Sequence, residues 1–231
     1  MAESDLKILG AWQSPLVMRT RIALNIKCVG YQFLEEKVGV KSDLLIKSNP
    51  VYKKFPVLIH GDKPICESLV IVQYIDETWT SGPSILPSDA YDRATARFWA
   101  VYIDDKWFPA LFEIAKAQAE EAEAEAEAVK QLLAGTALFE EAFQKCSKGK
   151  AFFGGDSIGF LDIALGCFLA WLRVVELNGL TILDAEKTPG LVGWAENFCA
   201  DSAVKEVMPE TGKLAKFVKG RYAKTGAPPS T

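Results

Sequence analysis

Apolar and polar positions along the chain change rhythm near residue 80. Before it, runs of strand length sit between stretches with helical spacing; beyond it the spacing is helical throughout. Leu6-Lys7-Ile8-Leu9-Gly10 predicts a short strand. Ser14-Pro15 then opens a helix, Ser as a favoured N-cap and Pro as a residue whose missing N–H costs nothing at the first helical position. Leu16, Ile22, Ala23 and Ile26 supply its apolar face, with Arg19, Arg21 and Lys27 largely off it, and Gly30 is the expected stop. Tyr31 to Val38 predicts a second strand, and Ser42 caps a short helix ended by Asn49-Pro50. Pro56–His60, Gly61-Asp62 and Lys63–Cys66 spell strand, turn and strand. Leu69–Ile75 is rich enough in Val and Ile for a buried strand. A Ser68 cap, the run's length to Trp79 and the acidic Asp76-Glu77 tail favour a helix. The order β-α-β-α-β-β-α implies a small α/β layer ending in a hairpin.

Thr80 to Ser88 is dense in Gly, Pro and Ser and predicts a linker. Helices are expected at about 91–120, 122–147, 160–178, 189–200, 203–208 and 210–223. The expected organisation is therefore an α/β unit at 1–80, a linker at 81–90, an all-helical unit at 91–225 and a flexible tail at 226–231. The Ala/Glu tract at 117–128 is a strong helix former with a solvated surface. With Gly159 as a cap, Asp162 falls at the third helical position, where a carboxylate reaches free amide protons, so a folding role is expected of it.

Composition narrows the functional classes. A formal net charge of -4 provides no global positive field for nucleic acid. No apolar run reaches the eighteen or so residues of a membrane span, and Met1-Ala2-Glu3-Ser4-Asp5 lacks the basic and apolar regions of a signal peptide. Five scattered cysteines without a CxxC fit a reducing, cytosolic compartment. His60 is the only histidine, so a His-rich zinc site cannot be built, a Ser–His–Asp hydrolase triad would have to rest on His60, and no metal is expected. At the end of a strand before a turn, His60 is expected to be structural.

Two helix starts remain as candidate chemistry. Helix N-termini present unpaired N–H groups and partial positive charge, which suits small anions. Ser14 stands at one such start. At the other, the Ser68 hydroxyl and amide suit a carboxylate and Glu67 suits an ammonium group, which together would recognise an α-amino-acid head. Cys66 beside them reads either as a hairpin filler or as a reactive thiol.

Taken together, Trp12-Gln13-Ser14-Pro15, Lys41, Lys53-Lys54-Phe55-Pro56 and Cys66-Glu67-Ser68 closely resemble the N-terminal domain of plant tau-class glutathione transferases. Arg97-Phe98-Trp99-Ala100-Val101-Tyr102-Ile103-Asp104, Phe152-Phe153-Gly154-Gly155-Asp156 and Gly159-Phe160-Leu161-Asp162 are similar to that family's helical domain. The resemblance covers nearly the whole chain. It implies a thioredoxin-like domain followed by an all-helical one, and a cytosolic homodimer that conjugates glutathione to hydrophobic electrophiles, with organic hydroperoxide reduction as a side activity. Glutathione is then a co-substrate and no cofactor is needed.

The resemblance also assigns roles. Ser14 would donate a hydrogen bond to the glutathione sulfur. Glu67 and Ser68 would bind the γ-glutamyl group, Lys41 and Lys54 the glycine carboxylate, and Phe55, before an expected cis Pro56, the cysteinyl backbone. Leu16, Trp107, Phe108, Phe112, Trp171 and Phe217 are expected to wall the electrophile site, and Asp104 to reach across the interface toward the γ-glutamyl end. Leu16 stands where Phe is common in the family, and Phe55 where Val or Ile is usual, which bears on substrate preference. A serine rather than a cysteine at position 14 argues against thiol-disulfide chemistry. A non-catalytic ligand carrier and a protein scaffold of the same fold are the alternative readings.

Overall fold

The computed structural model describes residues 5–116 and 122–222; the 226–231 tail and the first part of the Ala/Glu tract lie outside them. Four strands, β1 (Leu6–Gly10), β2 (Gln32–Glu35), β3 (Val57–His60) and β4 (Lys63–Cys66), form one sheet in the order β2-β1-β3-β4. β1 runs parallel to β2 and antiparallel to β3, and β3 pairs antiparallel with β4. The crossover between the parallel strands is α1 (Pro15–Ile26); α2 (Asp43–Ser48) and α3 (Ser68–Thr78) complete this half. Alternation along β1 sorts the layers. Leu6 and Ile8 join α1 and α3 in the main core, whereas Leu9 points the other way, onto Leu45 of α2 and Val57. A mixed sheet covered in this way is the thioredoxin-like arrangement.

The rest is helical: α4 (Ala90–Tyr102), α5 (Phe108–Lys116), α6 (Ala122–Ser147), α7 (Phe160–Gly166), α8 (Leu169–Glu176), α9 (Pro189–Ala200), α10 (Ser202–Lys205) and α11 (Thr211–Tyr222). α4 and α5 are joined without a break by a five-residue π-helical turn, Ile103–Trp107. Such turns widen the helix by one residue and re-aim its side chains.

Several sequence expectations need correction. α1 stops at Ile26 rather than near Gly30, because Cys28 takes the left-handed conformation (φ 53°) and the Val29 N–H returns to Leu24 O. Glycine is the usual signal for that ending, and cysteine hides it. β2 spans only Gln32–Glu35, since its partner β1 ends at Gly10, opposite Glu35. The expected helix at 160–178 is two, interrupted at Cys167-Phe168. The Ala164 carbonyl, which would receive the Phe168 N–H in a continuous helix, accepts from Arg19 Nη2 (2.8 Å), and the Phe168 N–H turns to Leu165 O instead. The helix expected at 203–208 is the single turn α10, capped by Asp201.

Asp162 is a densely connected buried carboxylate of the helical half. It is fully buried and accepts from the backbone N–H groups of Phe153, Gly154 and Gly159 and from Trp194 Nε1, each at 2.8 Å. Burial pushes its pKa up to about 6, and these donors restrain the rise, so the carboxyl is ionised at neutral pH. It ties the start of α7 to the preceding loop and to α9, which is the folding role its position implied.

Candidate active site

Ser14 caps α1 from the end of the β1–α1 loop. Its backbone is extended (φ -79°, ψ 119°), and its Oγ accepts the Val17 N–H at 3.4 Å, a long bond. Accepting that bond leaves the hydroxyl proton free to donate. Pro15 supplies no N–H, and no acidic side chain lies in the first turn of α1 itself to offset the positive end of the helix. Ser14 is half-buried, and the loop that carries it is fixed from the helical half: Trp171 Nε1 donates to Gln13 O at 2.9 Å.

At the other helix start, Glu67 rather than Ser68 is the N-cap residue of α3. It has φ 69° and makes no side-chain cap. A left-handed backbone is costly for a non-glycine residue and persists where surroundings enforce it. The conformation leaves the Glu67 carboxylate exposed and turns Ser68 inward, where it is buried. The Ser68 Oγ accepts from Arg19 Nη1 at 3.2 Å, so its own proton is available to a ligand.

Arg19 is the residue that sequence reasoning missed. Its guanidinium is fully buried, pairs bidentately with Asp104 (2.9 and 2.7 Å) and touches Ser68 and Ala164 O. It also lies over the Phe168 ring, 5.2 Å from the centroid. One side chain thus joins the α3 start to the π-helical turn and α7. The signal was present: Arg19 sits three residues from both Leu16 and Ile22, on the apolar stripe rather than off it. Lys27 is buried too, paired with Asp76 at 2.7 Å while donating to Pro83 O.

Lys41 and Lys54 are both exposed, Lys41 ahead of α2 and Lys54 ahead of β3. Asn49, also unassigned from sequence, is buried and shapes the lysine-bearing loop: its Nδ2 donates to Lys54 O and its Oδ1 accepts the Tyr52 N–H. Phe55 is half-buried, and the Phe55–Pro56 bond is cis. Burial and the neighbouring Glu67 push the Cys66 thiol up, so it stays protonated, and its Sγ lies 3.6 Å from Ser48 O. His60 is held by Tyr74 (Nδ1 to OH, 2.8 Å) and stacks on Trp79, a structural setting.

The aromatic residues divide. Phe108 and Phe112 on α5 and Trp171 on α8 form one cluster, with centroids 5.7 Å (Phe108–Phe112) and 6.0 Å (Phe112–Trp171) apart. Phe217 on α11 meets Trp12 edge-on at 5.8 Å, and the Lys213 ammonium lies 4.2 Å from the Trp12 centroid. Trp12, Gln13, Val38 and Phe217 line a cleft of about 930 Å³ whose wall also carries Glu35, Glu36, Lys37, Lys216 and Arg221; Gln13 is the residue next to Ser14 in the chain. Leu16 is half-buried on the first turn of α1. Trp107 is not brought to this region. It is 2% exposed, donates to Thr136 on α6 and packs on Phe139 and Phe168, so it belongs to the helical core.

Comparisons with known proteins agree with this geometry. The sequence model of the glutathione S-transferase N-terminal domain matches residues 4–77, and that of the C-terminal domain matches 98–202. Glutathione S-transferase U17 of Arabidopsis thaliana is 63% identical over 229 residues, 98% of this chain and 100% of that protein. Glutathione S-transferase U18 of the same plant is 58% identical over the same lengths. A solved tau-class glutathione S-transferase from mango, Mangifera indica, superimposes with a TM-score of 0.90 at 65% identity, covering 94% of this chain and 99% of that one. A rice glutathione transferase solved with glutathione gives a TM-score of 0.86 at 35% identity, covering 95% and 98%.

Proposed function

This chain belongs to the glutathione S-transferase family, within the plant tau class, and on that premise we propose how its residues carry out the transfer. Ser14 donates its free hydroxyl proton to the sulfur of bound glutathione and, with the α1 N-terminus, favours the thiolate. A free thiol with a pKa near 8.5 is only a few per cent ionised at neutral pH, and lowering it by two units requires about 2.7 kcal/mol. One charge-assisted hydrogen bond and a helix N-terminus together supply an amount of that order. No general base is required, since the proton leaves to solvent on binding. The thiolate then attacks an electrophilic carbon; a C–S bond forms and, for an aryl halide, halide departs with the C–halogen electron pair.

The observation that carries this reading is the arrangement of the two serines, each accepting from a fixed donor and so presenting its own proton. Glu67 and Ser68 bind the γ-glutamyl ammonium and carboxylate, Lys41 and Lys54 attract the glycine carboxylate, and the Phe55 backbone meets the cysteinyl segment. Asp104 acts at one remove, as a positioning residue. Asp104→Asn is expected to cost about 1–2 kcal/mol of stability in denaturant titrations. It should also raise the KM for glutathione several-fold while leaving the electrophile KM unchanged.

Residues 1–80 form the glutathione-binding unit and 91–225 the unit that supplies the apolar wall, joined by the 81–90 linker. Leu16, Phe108, Phe112, Trp171 and Phe217 face the hydrophobic electrophile, with Trp12 added. Phe217→Ala is expected to raise the electrophile KM about ten-fold, equivalent to about 1.4 kcal/mol of lost apolar contact, with the glutathione KM within two-fold. The protein works as a cytosolic homodimer; among the described residues no helix is long and apolar enough to cross a membrane. Turnover of glutathione with a chlorodinitrobenzene tests the reading. Binding of glutathione without conjugation of any electrophile, or reduction of any hydroperoxide, would overturn it.

A further inference from the structure

The cleft lined by Trp12, Gln13, Val38 and Phe217 combines apolar surface with three cations, Lys37, Lys216 and Arg221. We propose that this charge selects the second substrate: the electrophiles the enzyme prefers are acids, flat reactive molecules whose carboxylate is held by Lys216 and Arg221. The inference rests on the transferase reading of Ser14 and names a substrate class for it.

α11 sets the charge. Leu214 and Val218 are its buried anchors, where it packs on α8 and α5. Lys213, Phe217 and Gly220 follow one another at spacings of four and three, with Lys216 and Arg221 beside them, so these residues share a stripe of the helix. The one apolar side chain of that stripe, Phe217, meets Trp12 edge-on, and the Lys213 ammonium lies over the same indole. An amphipathic helix gains nothing in folding from cations turned toward a cleft rather than toward bulk water. Gly220 keeps the wall open beside Arg221, for a Cβ there would meet nothing within 4 Å.

The two carboxylates in the wall, Glu35 and Glu36, do not cancel the three cations. Glu36 is buried and already engaged: the Ser42 hydroxyl and N–H donate to its two oxygens at 2.6 and 3.3 Å. Glu35 is exposed at the end of β2, opposite Gly10. Glu210, at the start of α11, is directed elsewhere, accepting from the Gly212 and Lys213 amides at 2.7 and 2.6 Å. Among the described residues Lys37, Lys216 and Arg221 have no ion-pair partner. The Arg221 guanidinium can therefore offer a carboxylate two parallel N–H bonds, with Lys216 as a second charge.

The dimensions suit a small acid. A volume of about 930 Å³ exceeds what a single ring needs and leaves space for a charged substituent. Phe217 and Arg221 are one turn of α11 apart, about 5.4 Å along the axis, the scale of the distance from one edge of an aromatic ring to a carboxylate on the opposite edge. A ring stacked against Phe217 thus directs its acid group along α11 and away from the thiolate, which limits repulsion between the two anions. The chemistry is that of the transfer already described. With an aryl chloride the C–S bond forms, chloride leaves with the electron pair of the broken C–Cl bond, and the carboxylate is unchanged.

Conjugation of 4-chloro-3,5-dinitrobenzoate and of its methyl ester by the full-length enzyme tests the selection. The two compounds share ring, leaving group and reacting carbon and differ by one charge. Lys216→Glu with Arg221→Glu should raise the KM for the acid about five- to ten-fold, the scale of two exposed charge contacts, with kcat within two-fold. The KM values for the ester and for glutathione should each stay within two-fold. Lys216→Arg with Arg221→Lys, which keeps both charges, should hold the KM for the acid within two-fold of wild type. Added salt should raise the wild-type KM for the acid and leave that for the ester unmoved. Equal losses on acid and ester, or a loss on neither, overturn the inference. So does a matching rise in the glutathione KM, which would assign the cations to the tripeptide's own carboxylates. Wild-type enzyme that conjugates neither compound defeats the transferase reading and this inference with it. Enzyme that conjugates both but ignores the charge reversal defeats the inference alone. Both substituted side chains are exposed, so the variants alter charge and leave the core intact.

Discussion

Ser14→Ala is expected to lower kcat/KM for aryl halide conjugation by about 10²–10³-fold, the usual cost of removing one donor aimed at an anion in a site. The loss should fall on kcat, because the tripeptide is held by groups Ser14 does not touch, and the glutathione KM should move less than three-fold. The pH dependence carries a sharper signature. The rate rises with pH through the pKa of the bound thiol, so losing the donor should shift the profile upward by about two units and restore part of the activity at alkaline pH. Stability should change little. The cap bond from Val17 is long, and loss of an N-cap side chain costs about 1 kcal/mol. A variant that is folded, binds glutathione and is slow at neutral pH separates the chemical role from the capping one.

Asp162→Ala is expected to be the opposite case, costing about 3–5 kcal/mol of stability with normal chemistry in the molecules that stay folded. The substitution orphans four donors at once: the amides of Phe153, Gly154 and Gly159 and the Trp194 indole. Each was satisfied by a buried charge, and a buried donor left without a partner carries its full desolvation penalty. With a typical domain stability of only about 5–15 kcal/mol, the variant should show a much lower denaturant midpoint and poor soluble yield. Urea titration followed by tryptophan fluorescence checks this. Near-normal stability would mean that the loop and α9 do not depend on the carboxylate.

These residues differ in how visible they are in the sequence, for physical reasons. Ser14, Ser42 and Asp162 announce themselves, because capping is a local contract between a side chain and an amide three residues away, onward for the two serines and back for Asp162. The hairpin is equally legible, since Gly61-Asp62 sits between two runs of strand length. Arg19 is not, because its partners Ser68, Asp104 and Ala164 lie 49, 85 and 145 residues away. A cation on an apolar stripe was the one clue. The π-helical turn that delivers Asp104 leaves no mark in hydrophobic spacing over so short a length. Trp107 misled for the same reason: helical periodicity says that a side chain faces other side chains, and only the tertiary fold says whether they are core or cleft. The break at Cys167-Phe168 follows from Arg19 drawing off a carbonyl, a long-range event that no local propensity records.

Everything assigned to Ser14 rests on its lowering the pKa of a thiol that belongs to another molecule. Ultraviolet difference titration of glutathione bound to the wild-type enzyme and to Ser14→Ala, following thiolate absorbance against pH, measures this without an electrophile or a rate. The expected bound-thiol pKa in the wild type lies about two units below the free value of about 8.5, and it should return most of the way in the variant. An unshifted thiol in the wild type, or an equally shifted one in both proteins, would contradict that role.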